Sequence, residues 1–452
     1  MAFSTAHTAL AALREELAGE VFAPWDPGYD GARAVFDARD GRRPAVIARC
    51  ADAADVVRAV RFGRELDLRV AVRGGGHGAA GTASADGALM VDLSRLRRVG
   101  VDPVAGTARV EGGATTGELD RAALPYGLAT TGARAPTTGV AGFVLGGGTG
   151  WLDRLFGPAA DSLLTVELVT ADAARVRASA DEHPELFRAL HGGGGNFGVV
   201  TALTLRLHEL PRFSSPCCGI RPAADRRWSA PSGRSSVPAR TSWAARCCTW
   251  PGRPRRGRPR CAAVLTYAGG ADGLRDLAGP LRALPHEAAV AGEVPYTEAQ
   301  RLLDTPSGLR RHGSAECLTG LPQEAVDAFC AGGEGMPAAA GSRHLLFPQG
   351  GAVAAGPRGY PLAWRDAPWT AHPCAVWADP AEDERALRWV RDARAALRPW
   401  STGAVCLNLI GDEGPERVRA GLGAGNVLRL EKVKRRYDPD NVFRCNHNIR
   451  PV

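Results

Sequence analysis

The stretch Arg73-Gly74-Gly75-Gly76-His77-Gly78 decides how this part of the chain folds and what it can bind. It follows a short apolar segment, residues 68–72, which predicts a strand that leads into the loop. Glycine has no side chain, so the backbone can approach a ligand closely and adopt conformations closed to other residues. The loop can hold a planar or phosphorylated cofactor, with His77 as its reactive side chain. A plain tight turn is the alternative interpretation.

Length and composition indicate a globular protein. The chain has 452 residues, of which 45% are hydrophobic and 23% charged, enough for two or three domains with sizeable cores. No apolar run approaches the roughly 20 residues of a membrane-spanning helix. Residues 1–20 lack the basic start and apolar core of a secretory signal. We therefore expect a cytoplasmic protein without a membrane partner.

Cysteine spacing and charge argue against metal and nucleic-acid binding. The 11 cysteines show no metal-ligand spacing, so we expect no metal site and free thiols in a reducing compartment. Residues 212–261 contain 12 arginines and one acid, Asp225, a net charge of +11 that exceeds the +8 of the whole chain. The positive excess is confined to this segment, and we expect no nucleic-acid partner.

Residues 212–261 are atypical in other respects. They are rich in Arg, Pro, Ser and Cys and show no hydrophobic period, whereas ordinary patterning stops at Ser214 and resumes at Ala262. We favour a coding frameshift that is later compensated. A basic interaction arm and a disordered insert are the alternatives.

Hydrophobic patterning elsewhere predicts mixed helices and strands. In the first part of the chain we expect a strand at 43–50, a helix at 52–66 and a hairpin at 99–113. Residues 416–437 are predicted to be largely helical, with a break at 423–425. Between these parts we predict strands at 263–267 and 375–378 and helices at 271–283, 322–331 and 380–397.

Two more glycine runs follow the first. Residues 146–150 read Gly-Gly-Gly-Thr-Gly before Trp151, and residues 192–198 read Gly-Gly-Gly-Gly-Asn-Phe-Gly. No run fits a GxGxxG dinucleotide fingerprint with its acidic partner, and no GxxxxGK[ST] loop is present. A Rossmann domain and a P-loop nucleotidase are therefore disfavoured.

These runs, with Pro-Thr-Thr-Gly-Val-Ala-Gly at 136–142, Tyr-Asp-Pro-Asp-Asn-Val-Phe at 437–443 and Asn446-His447-Asn448, stand in the order of a known family. The chain resembles the FAD-linked oxidases of the vanillyl-alcohol oxidase superfamily, in the berberine bridge enzyme-like branch. The resemblance implies an α+β fold. It combines a PCMH-type two-lobed FAD-binding domain with an antiparallel-sheet substrate domain covered by helices. The implied divisions are 1–211 for FAD, 212–410 for substrate and 411–452 for a berberine bridge enzyme-like segment returning to the FAD domain.

The resemblance also implies FAD as the cofactor, with His77 bonded to the 8α carbon of the flavin. Many relatives carry a cysteine that makes a second bond, but Ala160 stands at that position, so a single covalent link is expected. The cofactor-binding residues implied are Arg73, Gly74, Gly75, Gly76, His77, Gly78, Pro136, Thr138, Gly139, Gly142, Gly146, Gly147, Gly148, Gly150, Trp151, Gly198, Val200, Asn446 and Asn448.

The candidate catalytic residues are Cys406, Asn408 and Tyr360. Relatives carry Tyr-x-Asn near the end of the substrate domain, where this chain has Cys406-Leu407-Asn408. A thiol, with an ordinary pKa of about 8.5, can act as a base only if that pKa is tuned, and a small buried residue is an equal alternative. For Tyr360 and Arg365 we favour structural roles, with lining of the pocket as the alternative.

The implied reaction is a two-electron oxidation of an alcohol, phenol or related natural product. A base removes a proton from O–H or N–H, a hydride passes from carbon to flavin N5, and O₂ reoxidises the flavin to give H₂O₂. The expected partners are a small-molecule substrate and O₂. The alternatives are a flavin-dependent dehydrogenase, a redox-neutral tailoring enzyme and a non-enzymatic or impaired homologue.

Overall fold

The structure is a computed structural model that describes residues 2–39, 41–220, 241–248, 260–282, 286–337 and 341–452. Two lobes built mainly from residues before 212 lie beside a larger antiparallel sheet built from residues after 212. The last two helices of the chain return to the first two lobes. The predicted α+β architecture is therefore the one observed.

The first lobe holds the strand that leads into the first glycine run. Its four strands lie in the order β1-β2-β4-β3, with β1 antiparallel and the other pairs parallel. Helix α3 covers the sheet because Val56 and Val60 turn inward, and its start is capped by the Asp52 carboxylate. The elements are α1 (Ala2–Glu16), β1 (Glu20–Phe22), α2 (Tyr29–Arg33), β2 (Val46–Arg49), α3 (Ala53–Glu65), β3 (Val70–Arg73) and β4 (Leu89–Asp92).

The second lobe is an antiparallel sheet in the order β5-β6-β10-β8-β9. The predicted hairpin at 99–113 forms its edge. Short helices and loops on one side of the sheet carry the second and third glycine runs. The elements are β5 (Val99–Asp102), β6 (Thr107–Glu111), α4 (Thr116–Ala123), β7 (Leu128–Ala129), α5 (Val140–Leu145), α6 (Asp153–Phe156), β8 (Leu163–Val169), β9 (Arg175–Ser179), α7 (Pro184–Ala189), β10 (Val199–Arg206) and β11 (His208–Glu209), with 3-10 turns at Leu124–Tyr126 and Ala159–Ser162.

The large sheet runs in the order β15-β12-β14-β13-β18-β19-β16, with β17 paired to β19. Helices α10 and α12 cover one of its faces. The elements are β12 (Ser214–Ile220), β13 (Thr241–Cys248), β14 (Arg260–Tyr267), α8 (Ala271–Arg282), β15 (His286–Glu293), α9 (Tyr296–Ala299), β16 (Arg310–Gly313), β17 (Glu316–Leu318), α10 (Gln323–Glu334), β18 (Arg343–Pro348), α11 (Ala352–Ala355), β19 (Trp369–Trp377) and α12 (Asp383–Leu397), with 3-10 turns at Ala363–Asp366, Pro380–Glu382, Arg398–Trp400 and Leu407–Leu409. Within the described ranges, no helix is both long and apolar enough to cross a membrane.

The atypical segment 212–261 contributes to this sheet. Strand β12 pairs with β14 and β15, and β13 pairs with β14 and β18, so the described parts of the segment form strands of the sheet. Backbone hydrogen bonds join these strands to their neighbours, and such bonds do not depend on a periodic pattern of hydrophobic side chains. Residues 221–240 and 249–259 lie outside the described residues. The frameshift hypothesis remains a prediction.

The final helices, α13 (Pro415–Leu422) and α14 (Ala424–Tyr437), are separated at Gly423, inside the predicted break. Val418, Leu430 and Val433 pack into the core of the second lobe. A glycine fits the break because its backbone φ is +84°. The final helices therefore pack against the part of the protein that is built from the first half of the chain. The domain boundaries at 211 and 410 remain predictions.

Candidate active site

The first glycine loop is anchored by an ion pair at its base. The Arg73 guanidinium lies 3.0 Å, Nε to Oδ1, from the Asp92 carboxylate and donates to the carbonyls of Ala32 and Ala34 at 2.7 and 2.8 Å. Strands β3 and β4 place the two residues side by side. Arg73 is buried and does not line the cavity, so the structure gives it an anchoring position instead of the expected cofactor contact.

The loop itself presents a row of backbone donors. Within the described part of the chain, the N–H groups of residues 74–78 have no protein acceptor. A Cβ added to Gly75 would lie 2.2 Å from the backbone nitrogen of Gly139, so the first loop and the loop before α5 touch backbone to backbone. Successive free N–H groups form a concave surface that favours an anion. The loop therefore offers a cradle for a phosphate group.

His77 stands in this loop as a neutral imidazole. Its ring stacks on Phe36 with centroids 3.7 Å apart, and Nε2 lies 2.9 Å from the Thr137 hydroxyl. The contact from Nδ1 to the Thr138 hydroxyl is longer, at 3.5 Å. Burial, aided by the Arg311 charge, lowers the pKa of His77 to about 3. A neutral ring keeps a nitrogen lone pair, which a nucleophile needs.

The three glycine runs and the C-terminal tail meet at one cavity of about 430 Å³. This size lies within the usual range of ligand sites. Of the cofactor-binding residues expected from the sequence, those that line the cavity are Gly74, Gly75, Gly76, His77, Gly78, Thr138, Gly139, Gly142, Gly146, Gly198, Val200 and Asn446. Those that do not are Arg73, Pro136, Gly147, Gly148, Gly150, Trp151 and Asn448.

Trp151 shows why a residue of the second glycine run can miss the cavity. Its side chain is buried in a core with Phe213 and Tyr296, below the loop. Pro136 instead accepts a hydrogen bond from the backbone of Gly117 at 2.9 Å. Both residues therefore support the loops and do not line the cavity. Sequence motifs cannot distinguish such a supporting residue from one that contacts the ligand.

The third glycine run holds the tail through Asn196. Its Nδ2 donates to the carbonyls of Gly193 and His447 at 2.7 and 3.1 Å, and its Oδ1 accepts from the backbone of Ile449 at 2.9 Å. This clamp brings Asn446 to the cavity, where its Oδ1 is buried with no hydrogen-bond partner among the described residues. Such an atom is expected to find a partner, which a bound ligand can supply.

Lys434 fixes the start of the tail from inside the protein. Its fully buried ammonium group bonds to the Asp438 carboxylate at 2.6 Å and to the carbonyls of Asn196 and Phe443 at 2.8 and 2.9 Å. Asp438 in turn accepts from the backbone of Val442 and Phe443. The buried charges are therefore paired and hydrogen-bonded, as burial requires.

The expected catalytic residues are separated by the structure. Cys406 is completely buried beside Cys317 and Trp364 and does not line the cavity. Burial raises the pKa of its thiol to about 12, which favours the alternative of a small buried residue over a catalytic base. Asn408 does line the cavity, and it bridges the backbone of Gly142 and Gly148 at 3.3 and 3.1 Å.

Tyr360 and Arg365 also lie away from the cavity. The Tyr360 ring stacks on His191 with centroids 4.0 Å apart, and Arg365 is buried in an ion pair with Asp161. Their positions correspond to the structural roles that the sequence favoured. Both residues hold the segment after α11 against the second lobe.

The opposite wall of the cavity is the uncovered face of the large sheet, which we call the sheet wall. Strands β18 and β19 pair Arg343 with Cys374 and Leu345 with His372, which places these side chains on one face. Arg311 of β16 joins the same wall. Sequence reasoning missed these residues because no strand was predicted at β18, although Arg343, Leu345 and Phe347 recur at the strand period of two.

Two parts of the sequence match known protein families. Residues 44–179 match the family described as FAD binding domain, and residues 413–450 match the family described as berberine and berberine like. The chain is 31% identical over 462 aligned residues to (R)-6-hydroxynicotine oxidase of Paenarthrobacter nicotinovorans, covering 96% of this chain and 97% of that protein. The chain belongs to the FAD-linked oxidases. It is an FAD-dependent oxidoreductase with the berberine bridge enzyme-like C-terminal segment, and the predicted family is confirmed.

Solved structures extend the likeness of this FAD-linked oxidase to the whole fold. It superposes on 6-hydroxy-D-nicotine oxidase from Arthrobacter nicotinovorans with a TM-score of 0.85 at 27% identity, over 97% of this chain and 99% of that one. A glucooligosaccharide oxidase from Acremonium strictum, described with a 6-S-cysteinyl, 8α-N1-histidyl FAD, gives a TM-score of 0.84 at 22% identity over 99% of both chains. The predicted fold class is confirmed.

Proposed function

We propose that this FAD-linked oxidase oxidises a small organic molecule at a carbon that bears an O–H or N–H group, with FAD held by one covalent bond to His77 and O₂ as the final acceptor. One observation carries the proposal. A neutral His77 stands in a row of backbone donors for which the described residues supply no acceptor, in a cavity whose other side is the sheet wall. Bound FAD supplies hydride acceptance and reoxidation by O₂.

The residues present fit FAD. The free N–H groups of residues 74–78 suit its pyrophosphate, because backbone donors bind anions without adding a side chain. Asn446 offers an unpartnered carbonyl oxygen to a donor on the cofactor. Asn408 keeps the loops at Gly142 and Gly148 at a fixed spacing. These contacts support the cofactor-binding roles proposed for the residues that line the cavity.

The chemistry of the cysteines at the cavity supports a single covalent bond between the protein and FAD. Cys374 and Cys445 also line the cavity, but burial raises the pKa of both thiols, so they stay protonated. The thiolate is the nucleophilic form of cysteine. Ala160 has no sulfur and is buried outside the cavity. Among the histidines that line the cavity, His77 is the candidate because it stands inside the first glycine loop, and the histidyl link of the glucooligosaccharide oxidase supports it.

Mass spectrometry of the purified protein tests the tether. The proteolytic peptide that contains His77 should carry the mass of one FAD, whereas the peptides with Cys374 and Cys445 should be unmodified. In a His77→Ala variant, FAD should become removable by acid precipitation. An unmodified His77 peptide from a yellow wild-type protein would contradict the covalent link.

The oxidase activity is tested with a panel of probes. We would use both enantiomers of 6-hydroxynicotine, glucose, cello-oligosaccharides and aromatic primary alcohols, and measure O₂ consumed and H₂O₂ formed. The expected result is one H₂O₂ for each O₂ consumed with at least one probe. Flavin reduction without H₂O₂ would instead indicate a dehydrogenase with another acceptor.

The setting of this activity is also part of the proposal. The six cysteines whose side chains the structure describes form no disulfide bond, which suits a reducing cytoplasm. A small natural-product substrate suits a cavity of about 430 Å³. Cell fractionation of the producing organism tests the first point. Recovery of the protein outside the cytoplasmic fraction would contradict it.

A further inference from the structure

His372 has the geometry of a proton acceptor on the sheet wall. It lies on β19, lines the cavity and keeps part of its surface open. Its Nδ1 lies 2.7 Å from the backbone carbonyl oxygen of Ser314. A carbonyl can only accept a hydrogen bond, so Nδ1 must carry the hydrogen. The neutral ring therefore has its lone pair on Nε2, for which the described residues provide no partner.

The neighbouring strand leaves space for this ring. Gly313 of β16 lies beside His372, and a Cβ added there would come 2.9 Å from Cε1 of the imidazole. Such a contact is closer than atoms tolerate, so any larger residue would displace the ring. Gly313 and the Ser314 carbonyl, adjacent in sequence, thus fix the position and the tautomer of His372 together.

We propose that His372 is the general base of this oxidase, and that its Nε2 accepts the proton from the O–H or N–H group of the substrate. The substrate proton would move to Nε2, and FAD held at the glycine loop of His77 would supply the acceptor for the hydride of the adjacent C–H bond. A C=O or C=N bond forms in the product, so two electrons and two hydrogens leave the substrate. The inference rests on the proposed function and names the group that the family-derived expectation at Cys406 did not supply.

The surroundings keep His372 neutral. Burial lowers its pKa to about 4, and the positive charges of Arg343 and Arg134 act in the same direction. The charged and titratable groups that face it are Arg343 of β18, Arg134 of the second lobe, Cys374 of β19 and Glu413 before α13. The Glu413 charge and the hydrogen bond to the Ser314 carbonyl favour protonation, but burial and the two arginines outweigh them. The ring is therefore in its basic form throughout the pH range above about 5.

Anaerobic flavin reduction tests the assignment with the fastest probe of the panel. His372→Gln should retain FAD on His77 but slow flavin reduction at least about 100-fold, the usual contribution of a general base. The wild-type rate should be constant from about pH 5 to 9, whereas the variant rate should rise with pH as hydroxide replaces the lost base. A variant rate within threefold of wild type would overturn the proposal.

Two further variants separate catalysis from damage to the fold. His208→Gln removes a partly buried histidine that bonds to Ser162 and stacks on Phe156 away from the cavity, and it should reduce FAD at the wild-type rate. Gly313→Ala should keep FAD but slow reduction at least about tenfold, because it displaces the imidazole. Normal reduction in Gly313→Ala would contradict the positioning argument.

The tautomer of His372 can be measured without any substrate. ¹⁵N NMR of the holoenzyme at pH 7, assigned by comparison with His372→Gln, should show a protonated Nδ1 and an unprotonated Nε2. The opposite tautomer or a cationic ring would overturn the inference even if the protein is an oxidase. Absence of FAD in wild-type protein would instead refute the proposed function, so the two failures are distinguishable.

Discussion

The two walls of the cavity are built in different ways. One wall, which we call the cofactor wall, consists of backbone from the three glycine runs at 74–78, 146–150 and 192–198, each continuous in the sequence. The sheet wall consists of alternate side chains from β16, β18 and β19, such as Arg311, Leu345 and His372, which are scattered along the chain. One wall is therefore defined by the absence of side chains and the other by their identity.

This difference explains how one fold serves several substrates. Backbone N–H groups bind a cofactor regardless of neighbouring side chains, provided that no Cβ intrudes. On the sheet wall, a single substitution changes the chemistry while the backbone ladder remains. We therefore expect cofactor binding to respond to the glycines and substrate choice to respond to the strands.

The largest effect is expected at the contact between loops. Gly75→Ala places a Cβ 2.2 Å from the nitrogen of Gly139, so the loops must separate and FAD loading should fall at least about tenfold. The ratio of flavin absorbance to protein absorbance measures it. Gly31→Ala, at an open position in α2, is the matched control and should load fully. Full FAD loading of the Gly75→Ala variant would show that the cofactor wall tolerates side chains.

The tail that completes the cofactor wall depends on Lys434. Lys434→Met leaves Asp438 buried without its partner and should lower the free energy of unfolding by about 3–5 kcal/mol. Urea unfolding measures the change. Lys432→Met, at an exposed position on the same helix, should change the free energy by less than about 0.5 kcal/mol. Equal effects of the two substitutions would refute the role of the buried pair.

Two histidines sharpen the comparison because both direct Nδ1 at a carbonyl oxygen. His372 opens to the cavity, whereas His191 is buried beneath Tyr360, with Nδ1 2.7 Å from the Phe187 carbonyl. Burial lowers the pKa of His191 to about 4, below its unfolded value of about 6.5. As the pH falls from 6.5 to 4, the unfolded chain takes up a proton on His191 before the folded protein does. The free energy of unfolding should therefore decrease by about 3 kcal/mol over this range and stay constant, as far as His191 is concerned, above pH 6.5.

The measurement is urea unfolding at pH 7 and pH 4.5. The wild-type free energy should fall between these values, and His191→Phe should flatten the decline. His183→Gln, at the start of α7 and outside the core, is the control and should keep the wild-type slope. An unchanged slope in His191→Phe would show that other buried histidines carry the effect.

The smallest effect is expected at Cys406, where the sequence suggested a base. Cys406→Ala should leave flavin reduction within twofold of wild type and lower the free energy of unfolding by about 1 kcal/mol, because only a buried sulfur is lost. Asn408→Ala, two residues later, should reduce FAD loading, since it releases the backbone at Gly142 and Gly148. A large catalytic loss in Cys406→Ala would instead favour a catalytic base.

The cofactor wall could be predicted because its signals are local. The glycine runs, the helix at 52–66 and the break at Gly423 each depend on residues close in sequence. The motifs did not separate Trp151 and Arg73, which support the loops, from Gly75 and His77, which line the cavity. Contact with the cavity depends on which way each side chain points after folding.

The sheet wall could not be predicted for a physical reason. The side chains of strand β18 are buried on both faces of the sheet, so the period-two recurrence of Arg343, Leu345 and Phe347 produces no alternation of apolar and polar residues. The tautomer of His372 depends on Ser314, which lies far away in the sequence. Strands β12 and β13 are ordered by their ladders, for which the residues of 212–261 give no periodic signal.

The clamp between Asn196 and the tail also fixes an order of events during synthesis. The first glycine loop leaves the ribosome long before Asn446 and His447, which line the same cavity. Until those residues emerge, the nascent chain has no complete site for FAD. The proposed attachment of FAD at His77 is therefore expected to follow the synthesis of these tail residues.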